Sequence, residues 1–147
     1  MAKAQTITPA DELARFRLDG KVAVVSGGTG SIGSRLALAL AGVGARVAIV
    51  GRSADGSAPL AKQIEALGSQ AILASADVTK KVDADRAIEE TLAKFGRVDI
   101  IVNAVGGGAG SALYPAEDYP ENEWDRIVDL NLRSAVLPTQ AAVRAMI

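Results

Sequence analysis

Four short apolar segments alternate along the chain with segments of helical periodicity. The apolar segments cover residues 22–25, 47–50, 71–74 and 98–102, a length suited to strands buried on both faces. Between them, large apolar residues recur at positions i, i+4 and i+7, which predicts one apolar face on each helix. The three predicted faces are Leu36, Leu40 and Val43; Leu60, Ile64 and Leu67; and Ile88, Leu92 and Phe95. Buried strands that alternate with amphipathic helices predict a doubly wound α/β fold with a parallel sheet.

The sequence changes character after the fourth apolar segment. Residues 103–120 are rich in glycine and proline, which predicts a loop, and a helical region follows from about Asn122. Pro138 cannot continue a regular helix, so we expect a division near Arg133. No later strand can cover the outer edge of the fourth strand, and the last residues carry no helix stop signal. We therefore expect an incomplete domain over residues 18–147, preceded by a leader of residues 1–17 with a short helix.

Composition narrows the chemistry that the chain can perform. The sequence contains no cysteine and no histidine, which excludes disulfides, thiol or imidazole catalysis and the usual zinc sites. Sixteen basic and seventeen acidic residues give a net charge of −1, and no basic block could neutralise a run of phosphates. No segment approaches the roughly 20 apolar residues of a membrane span, and the amino end does not resemble a targeting peptide. We expect a cytoplasmic protein without a nucleic acid, membrane or metal partner.

A glycine-rich segment, SGGTGSIG at residues 26–33, joins the first strand to the first helix. Gly28, Gly30 and Gly33 match the pattern G-x-G-x-x-G in the strand–loop–helix context that this motif requires. Glycines at these positions allow the backbone to approach a pyrophosphate, whose charge is met by N–H groups at the start of the helix. The alternative is a turn that uses glycine for its geometry alone. The context favours a dinucleotide site.

Five segments at regular intervals resemble those of the short-chain dehydrogenase/reductase family. They are LDGKVAVVSGG, VGRS, ADVT, NAVG and DLNL, and the resemblance runs from about Leu18 to the end of the chain. It implies a Rossmann-type sheet with strand order 3-2-1-4 and hydride transfer between a nicotinamide cofactor and an alcohol or ketone. In the family motif T-G-x-x-x-G-x-G, Ser26 takes the Thr position and Ser31 replaces the middle Gly. We expect Gly30 to supply the backbone freedom that Ser31 lacks.

The resemblance also implies a set of site residues. Asp77 and Val78 would contact the adenine ring, and Asn131 would hold a water of a proton relay as the one catalytic residue. Three alternatives remain open from the residues themselves: Asp77 or Thr79 caps a helix, Asn103 is a plain turn residue, and Asn131 faces solvent. The implied cofactor-binding residues are Gly27, Gly28, Thr29, Gly30, Ser31, Ile32, Gly33, Arg52, Asp77, Val78, Asn103, Ala104 and Gly106.

The end of the second strand bears on the choice between NADP and NAD. NAD-binding folds place an acidic residue there to accept hydrogen bonds from the ribose hydroxyls. In this chain the position is Gly51, and Arg52, which follows, could hold a 2′-phosphate. Asp55 is an alternative ribose partner, and Arg52 could also be a solvated loop charge. We expect NADP as the cofactor, with NAD as the alternative.

The remaining catalytic residues of the family, a Ser and a Tyr-x-x-x-Lys, have no counterpart here. Tyr114 is followed four residues later by Asp118, and Tyr119 by Glu123. In the family these motifs follow the next strand, so we expect a cofactor-binding half that cannot turn over substrate alone. A non-catalytic nucleotide-binding module and, less favoured, a sugar-nucleotide epimerase are the alternatives. The expected partners are a small alcohol or ketone, with a faint resemblance to enzymes of sugar acids, and further copies of the chain in a homo-oligomer.

Overall fold

The computed structural model describes residues 9–53, 57–108 and 114–147. Strands and helices alternate through most of this region, as the sequence pattern predicts. The helices are α1 (Pro9–Ala14), α2 (Ser31–Gly42), α3 (Ser57–Ala66), α4 (Lys81–Phe95), α5 (Glu121–Val128) and α6 (Ser134–Met146). A 3-10 turn covers Ala116–Asp118, and a π-helix at Asp129–Arg133 joins α5 to α6. The strands are β1 (Val22–Ser26), β2 (Arg46–Gly51), β3 (Ala71–Ser75) and β4 (Ile100–Asn103).

The four strands form one parallel sheet in the order β3-β2-β1-β4. Val24 of β1 lies opposite Ala48 of β2 on one side and Ile101 of β4 on the other. The predicted fold class and strand order are therefore confirmed. Because the strands are parallel, the four loops that leave their carboxyl ends meet at one edge of the sheet.

Successive residues of the inner strands enter cores on opposite faces of the sheet. Val24 packs in one core with residues of α4 and α6, whereas Val25 packs in the other with residues of α2 and α3. This alternation of side-chain direction explains why β1 is buried at every position.

The apolar face predicted for α2 is confirmed in part, because Leu40 is partly buried against the core. The residues that α2 buries are Gly33, Ala37 and Ala41, whereas Leu36 is 40% exposed. At Gly33 a larger residue has no room, because α2 begins directly against the glycine loop. In α3, Leu60 and Ile64 are buried as predicted, but Leu67 lies past the end of the helix and is 52% exposed.

The region after residue 120 divides where the sequence predicts. The π-helix ends at Arg133, and Pro138 lies inside α6 as a buried residue. Proline has no N–H to donate to the carbonyl of Ser134, four residues earlier, so a regular ladder of hydrogen bonds cannot cross this point. Within the described residues, no helix is long and apolar enough to cross a membrane.

Asp99, just before β4, joins the amino ends of two strands and should make stability depend on pH. Its side chain, 12% exposed, accepts hydrogen bonds from Arg97, from the backbone N–H of Val22 at 2.9 Å and from Lys21. The Arg97 guanidinium, above all, holds the pKa of Asp99 at about 2, below its ordinary value of 3.8. A carboxyl whose pKa is lowered by folding stabilises the fold above its unfolded pKa and ceases to do so as pH falls through the folded value.

We expect Asp99→Asn to lower the free energy of unfolding by about 1–2 kcal/mol at pH 7. The difference between the variant and the parent should shrink as pH falls from about 4 through about 2, because Asp99 becomes protonated over that range. Urea unfolding at several pH values measures this difference. Asp19→Asn is the control, because both side chains of the Asp19–Arg17 pair are exposed. A difference that stays constant from pH 7 to pH 2 would contradict this account of Asp99.

Candidate functional site

A pocket of about 350 Å³ lies where the loops from the carboxyl ends of all four strands meet. Each strand contributes residues from its end or from the loop that follows, and the π-helix contributes one. The lining residues are Gly27, Thr29, Gly30, Val50, Gly51, Arg52, Ala76, Asp77, Val78, Thr79, Ala104, Val105, Gly106 and Leu130. The carboxyl edge of a doubly wound sheet is where such folds bind their ligands.

Glycine is required in the loop after β1 by close backbone approaches. Gly27 has a φ of +69°, and a Cβ on it would lie 2.7 Å from the backbone carbonyl of Ala104 in the loop after β4. A Cβ on Gly33 would overlap the carbonyl oxygen of Gly27. The glycines therefore bring the β1 loop, the β4 loop and the start of α2 together at the pocket.

Gly30 does not supply the backbone freedom that the sequence comparison with the family motif predicts for it. Its φ of −75° and ψ of 166° are extended values that any residue adopts, so this expectation is wrong. The left-handed step of the loop is taken at Gly27, three residues earlier. Ser31 begins α2, and no non-glycine residue of the described ranges has a positive φ. Ser31 therefore takes the place of the family's middle Gly without a left-handed backbone conformation.

The start of α2 is suited to an anion. Among the described residues, no side chain caps this end of the helix and no acidic residue lies in its first turn. The side chains of Ser31 and Ile32, in that turn, are exposed. The N–H groups of a first helical turn have no partners within the helix and carry the positive end of its dipole. With Gly27, Thr29 and Gly30 beside it, this helix start fits the phosphates of a dinucleotide.

The loop after β2 brings a cation to the pocket. Arg52 lines the pocket with an exposed side chain, directly after Gly51 at the end of the strand. The Thr29 hydroxyl lies 3.1 Å from where a Cβ on Gly51 would be, so the end of β2 and the glycine loop are in contact. The alternative ribose partner, Asp55, lies outside the described residues.

The loop after β3 carries Asp77 and Val78. The Asp77 carboxylate accepts hydrogen bonds from the Thr79 hydroxyl at 2.7 Å and from the Thr79 N–H at 3.2 Å. The Thr79 hydroxyl is the main cause of a pKa of Asp77 below its ordinary value, and the charges of Lys80 and Arg52 act in the same direction. Lys80 precedes α4 without a side-chain cap, so the expectation that Asp77 or Thr79 caps this helix is wrong.

The two candidate asparagines hold the β4 loop against the helices that follow it. Asn103 donates to the Thr139 hydroxyl at 2.8 Å and accepts from the Ser26 hydroxyl. The Asn131 amide accepts from the Gly107 N–H at 3.2 Å and donates to the Gly107 carbonyl at 2.8 Å. Asn103 is therefore more than a plain turn residue. Asn131 is exposed, as the alternative interpretation predicts, but its amide is hydrogen-bonded to the β4 loop. The role of Asn131 in a proton relay stays a prediction.

The structure brings most of the predicted site residues together. Five lie next to lining residues: Ser31 and Ile32 in the first turn of α2, and Gly33, Asn103 and Asn131, which contact the loops as described above. Gly28 packs against β2, where a Cβ on it would lie 2.9 Å from the Ile49 side chain. Lining residues absent from the prediction are Val50, Gly51, Ala76, Thr79, Val105 and Leu130. Each is within two positions of a predicted residue. All except Leu130, on the π-helix, lie at or just after the end of a parallel strand, which is the signal that could have found them.

Comparison with known proteins agrees with this geometry. The family model described as short chain dehydrogenase matches residues 21–147. D-threitol dehydrogenase of Mycolicibacterium smegmatis is 37% identical over 96% of this chain and 54% of its own length. The crystal structure of a short-chain type dehydrogenase/reductase from Mycobacterium marinum superposes with a TM-score of 0.83 at 32% identity, over 95% of this chain and 54% of that one.

A ligand-bound structure also resembles this chain. A 7α-hydroxysteroid dehydrogenase complexed with NADH and 7-oxo glycochenodeoxycholic acid has a TM-score of 0.82 and 31% identity, over 95% of this chain and 52% of that one. The chain thus spans about half the length of the relatives it matches. The match to the family model covers the sheet, the glycine loop and the helices after β4. The chain therefore belongs to the short-chain dehydrogenase family of oxidoreductases.

Proposed function

We propose that this chain supplies the cofactor site of an NAD(P)-dependent oxidoreductase that interconverts a small alcohol and a ketone. The observation that carries the proposal is the pocket at the carboxyl edge of the sheet, where the glycine loop, the uncapped start of α2 and Arg52 converge. When bound there, the nicotinamide cofactor supplies the hydride chemistry. The residues of this chain bind and orient it.

Each segment that lines the pocket would contact a different portion of the cofactor. The N–H groups at the start of α2 would hold the phosphates, with the close approach of backbone that Gly27 and Gly33 allow. Val78, in the loop after β3, is buried and would provide an apolar contact for the adenine ring. The β4 loop, which Asn131 ties to the π-helix, would line the opposite side.

The choice of cofactor rests on the end of β2. No acidic residue stands there to accept hydrogen bonds from ribose hydroxyls, and Arg52 places a guanidinium at the rim of the pocket. A guanidinium binds a phosphate through charge-assisted hydrogen bonds, whereas a ribose hydroxyl offers it a weaker partner. NADP is therefore the proposed cofactor, although one similar structure holds NADH.

The test of the function is direct binding of the reduced cofactors to this chain. Titration with NADPH and NADH, followed by nicotinamide fluorescence, should give saturable binding with the lower dissociation constant for NADPH. Absence of saturable binding for both would overturn the proposal. Equal or tighter binding of NADH would overturn the preference for NADP and leave the cofactor site in place.

A second candidate is a nucleotide-binding module without catalysis. The observation that favours it is that these 147 residues include no Tyr-x-x-x-Lys and no histidine to donate a proton. Both candidates predict cofactor binding, and they differ in turnover. A Ser and a Tyr-x-x-x-Lys in the coding sequence downstream of Ile147 would decide for the enzyme.

The substrate class is proposed from the names of the relatives. One relative is a D-threitol dehydrogenase, and the sequence itself has a faint resemblance to enzymes of sugar acids. A small polyhydroxylated alcohol or the corresponding ketone is therefore the first substrate class to assay.

We also propose that the protein forms a homo-oligomer through α5, the π-helix and α6. These helices line an open groove of about 760 Å³ with an apolar floor that includes Val128, Leu132 and Val136. Leu132 is 61% exposed. Asp125, Arg126, Asp129 and Arg133 border the same groove. Acidic and basic residues along one helical face can pair with the same face of a second copy across a two-fold axis.

Replacing Leu132 by glutamate is expected to weaken this self-association by about tenfold or more, since it buries a charge at the centre of the contact. Light scattering over a range of protein concentrations measures the effect. Leu67→Glu is the control, because Leu67 is a similarly exposed leucine on the far side of the sheet, beside α3. A parent chain that stays monomeric, or a Leu67→Glu variant that dissociates equally, would contradict the proposal.

A further inference from the structure

The loop between β3 and α4 determines one side of the cofactor pocket. Four consecutive residues, Ala76 to Thr79, line it. Ala76 and Val78 are each 4% exposed, so the backbone between them has little freedom to shift without moving buried groups. The N–H of Ala76 donates to the Gly51 carbonyl at 2.9 Å, which continues the β2–β3 ladder by one residue. Within the loop, the N–H of Lys80 donates to the Asp77 carbonyl at 2.9 Å, and side chains link the loop to the body of α4.

Two side chains in the first turns of α4 provide that link. The Asp83 carboxylate accepts a hydrogen bond from the backbone N–H of Asp77 at 3.0 Å. Its other oxygen accepts from Arg86 at 2.9 Å, and the same guanidinium nitrogen donates to the Ser75 carbonyl at 2.9 Å. Arg86 and Asp83 together therefore join the end of β3 to the middle of the loop. We refer to these two residues as the Asp83–Arg86 clamp.

Stabilisation of α4 alone does not account for the clamp. Both side chains are partly exposed, and an ion pair of this kind within one helix contributes little to folding. The same helix contains a second ion pair, Lys81–Asp85, of comparable exposure. The hydrogen bond of that pair joins its two members within α4 and does not extend to the loop. The clamp differs from it in reaching back to Ser75 and Asp77.

We infer that Asp83 and Arg86 are positioning residues that set the adenosine side of the cofactor pocket. The inference rests on the proposed function, because it assigns the clamp's effect to a bound cofactor. The Asp77 N–H has the Asp83 carboxylate as its hydrogen-bond acceptor, and Arg86 fixes that carboxylate. Loss of either member frees the loop at Asp77, and the buried Val78 loses its fixed place against the adenine ring. Neither side chain lines the pocket, so the effect passes through the loop.

The test compares Asp83→Ala with Asp85→Ala, which removes the same charge from the same helix. The probes are NADPH, NADH and ADP, since ADP carries the adenosine and two phosphates without nicotinamide. We expect Asp83→Ala to weaken binding of all three by about three- to tenfold and Asp85→Ala to leave binding unchanged. Arg86→Ala should act as Asp83→Ala does, and the double variant should be no weaker than either, because the two side chains form one link.

Amide hydrogen exchange separates a positioning role from a loss of folding stability. In Asp83→Ala the amides of residues 77–79 should exchange faster, with the amides of β1 and β2 unchanged. Normal binding by Asp83→Ala while the parent chain binds cofactor would overturn the inference alone, as would an equal loss in Asp85→Ala. Failure of the parent chain to bind NADPH and NADH would overturn the proposed function, and the clamp's role with it.

Discussion

Alanine at Gly33 is expected to abolish cofactor binding and to destabilise the fold more than any other substitution proposed for this chain. The added Cβ would overlap the carbonyl oxygen of Gly27 and lie 3.0 Å from the Gly28 Cα. These are backbone atoms of a loop already held on its other side by Ala104, so no side-chain rotation relieves the contact. We expect a loss of about 3 kcal/mol in the free energy of unfolding, the upper part of the range for overpacking. The dissociation constant for NADPH should rise at least about hundredfold.

Two matched glycine substitutions make this prediction specific. Gly42 ends the same helix, and a Cβ added there meets nothing within 4 Å, so Gly42→Ala should be neutral or stabilise α2 by up to about 1 kcal/mol. Gly30→Ala meets only the Gly27 carbonyl oxygen at 3.2 Å, in a conformation any residue adopts, and should fall between the two. Urea unfolding and NADPH titration measure both effects. Binding by Gly33→Ala that equals binding by Gly42→Ala would refute the close-approach account of the loop.

The second large effect is expected at Arg52. Its replacement by alanine removes the cation at the pocket rim and should raise the dissociation constant for NADPH by about ten- to hundredfold, as for loss of a charge-assisted hydrogen bond. The constant for NADH should change by less than about twofold, because NADH has no 2′-phosphate to lose. The selectivity between the two cofactors therefore changes, and binding as a whole is retained.

Lys94→Ala is the control for the change in net charge. Lys94 lies in the last turn of α4, at the edge of the sheet opposite the pocket. Its removal should weaken both cofactors slightly and equally, and the effect should vanish at high salt. A parallel loss of NADPH and NADH binding in Arg52→Ala would show that Arg52 acts on the shared part of the cofactors and would refute the 2′-phosphate assignment.

The features of the fold that can be predicted are those set by residues close together in the sequence, such as the buried strands. β1 and β2 are buried on both faces, so each forms an unbroken apolar run in the sequence. The prediction for the face of α2 fails at Leu36, because the residues that this helix buries are the small Gly33, Ala37 and Ala41, and a search for large apolar residues passes over them. Periodicity reports hydrophobicity and carries little information on the distance between a helix and its sheet.

In the candidate site, single positions are predictable from the sequence and the links between them are not. The end of each parallel strand marks where a site residue can lie, and the pocket follows that rule. The bonds from Asn131 to Gly107 and from Asp83 to Asp77 join segments whose relative placement depends on the folded backbone. The requirement for glycine at position 27 likewise depends on a contact with Ala104, which lies 77 positions later in the chain.

We propose that the pocket at the carboxyl edge of the sheet holds the dinucleotide. Backbone amide shifts of the ¹⁵N-labelled chain, recorded during titration with NADPH, test it most directly. We expect the largest changes in residues 27–33, at Arg52 and in residues 76–79 and 104–106, with the groove on α5 and α6 unchanged. Changes confined to that groove, or no change in the glycine loop at a saturating concentration of NADPH, would contradict it.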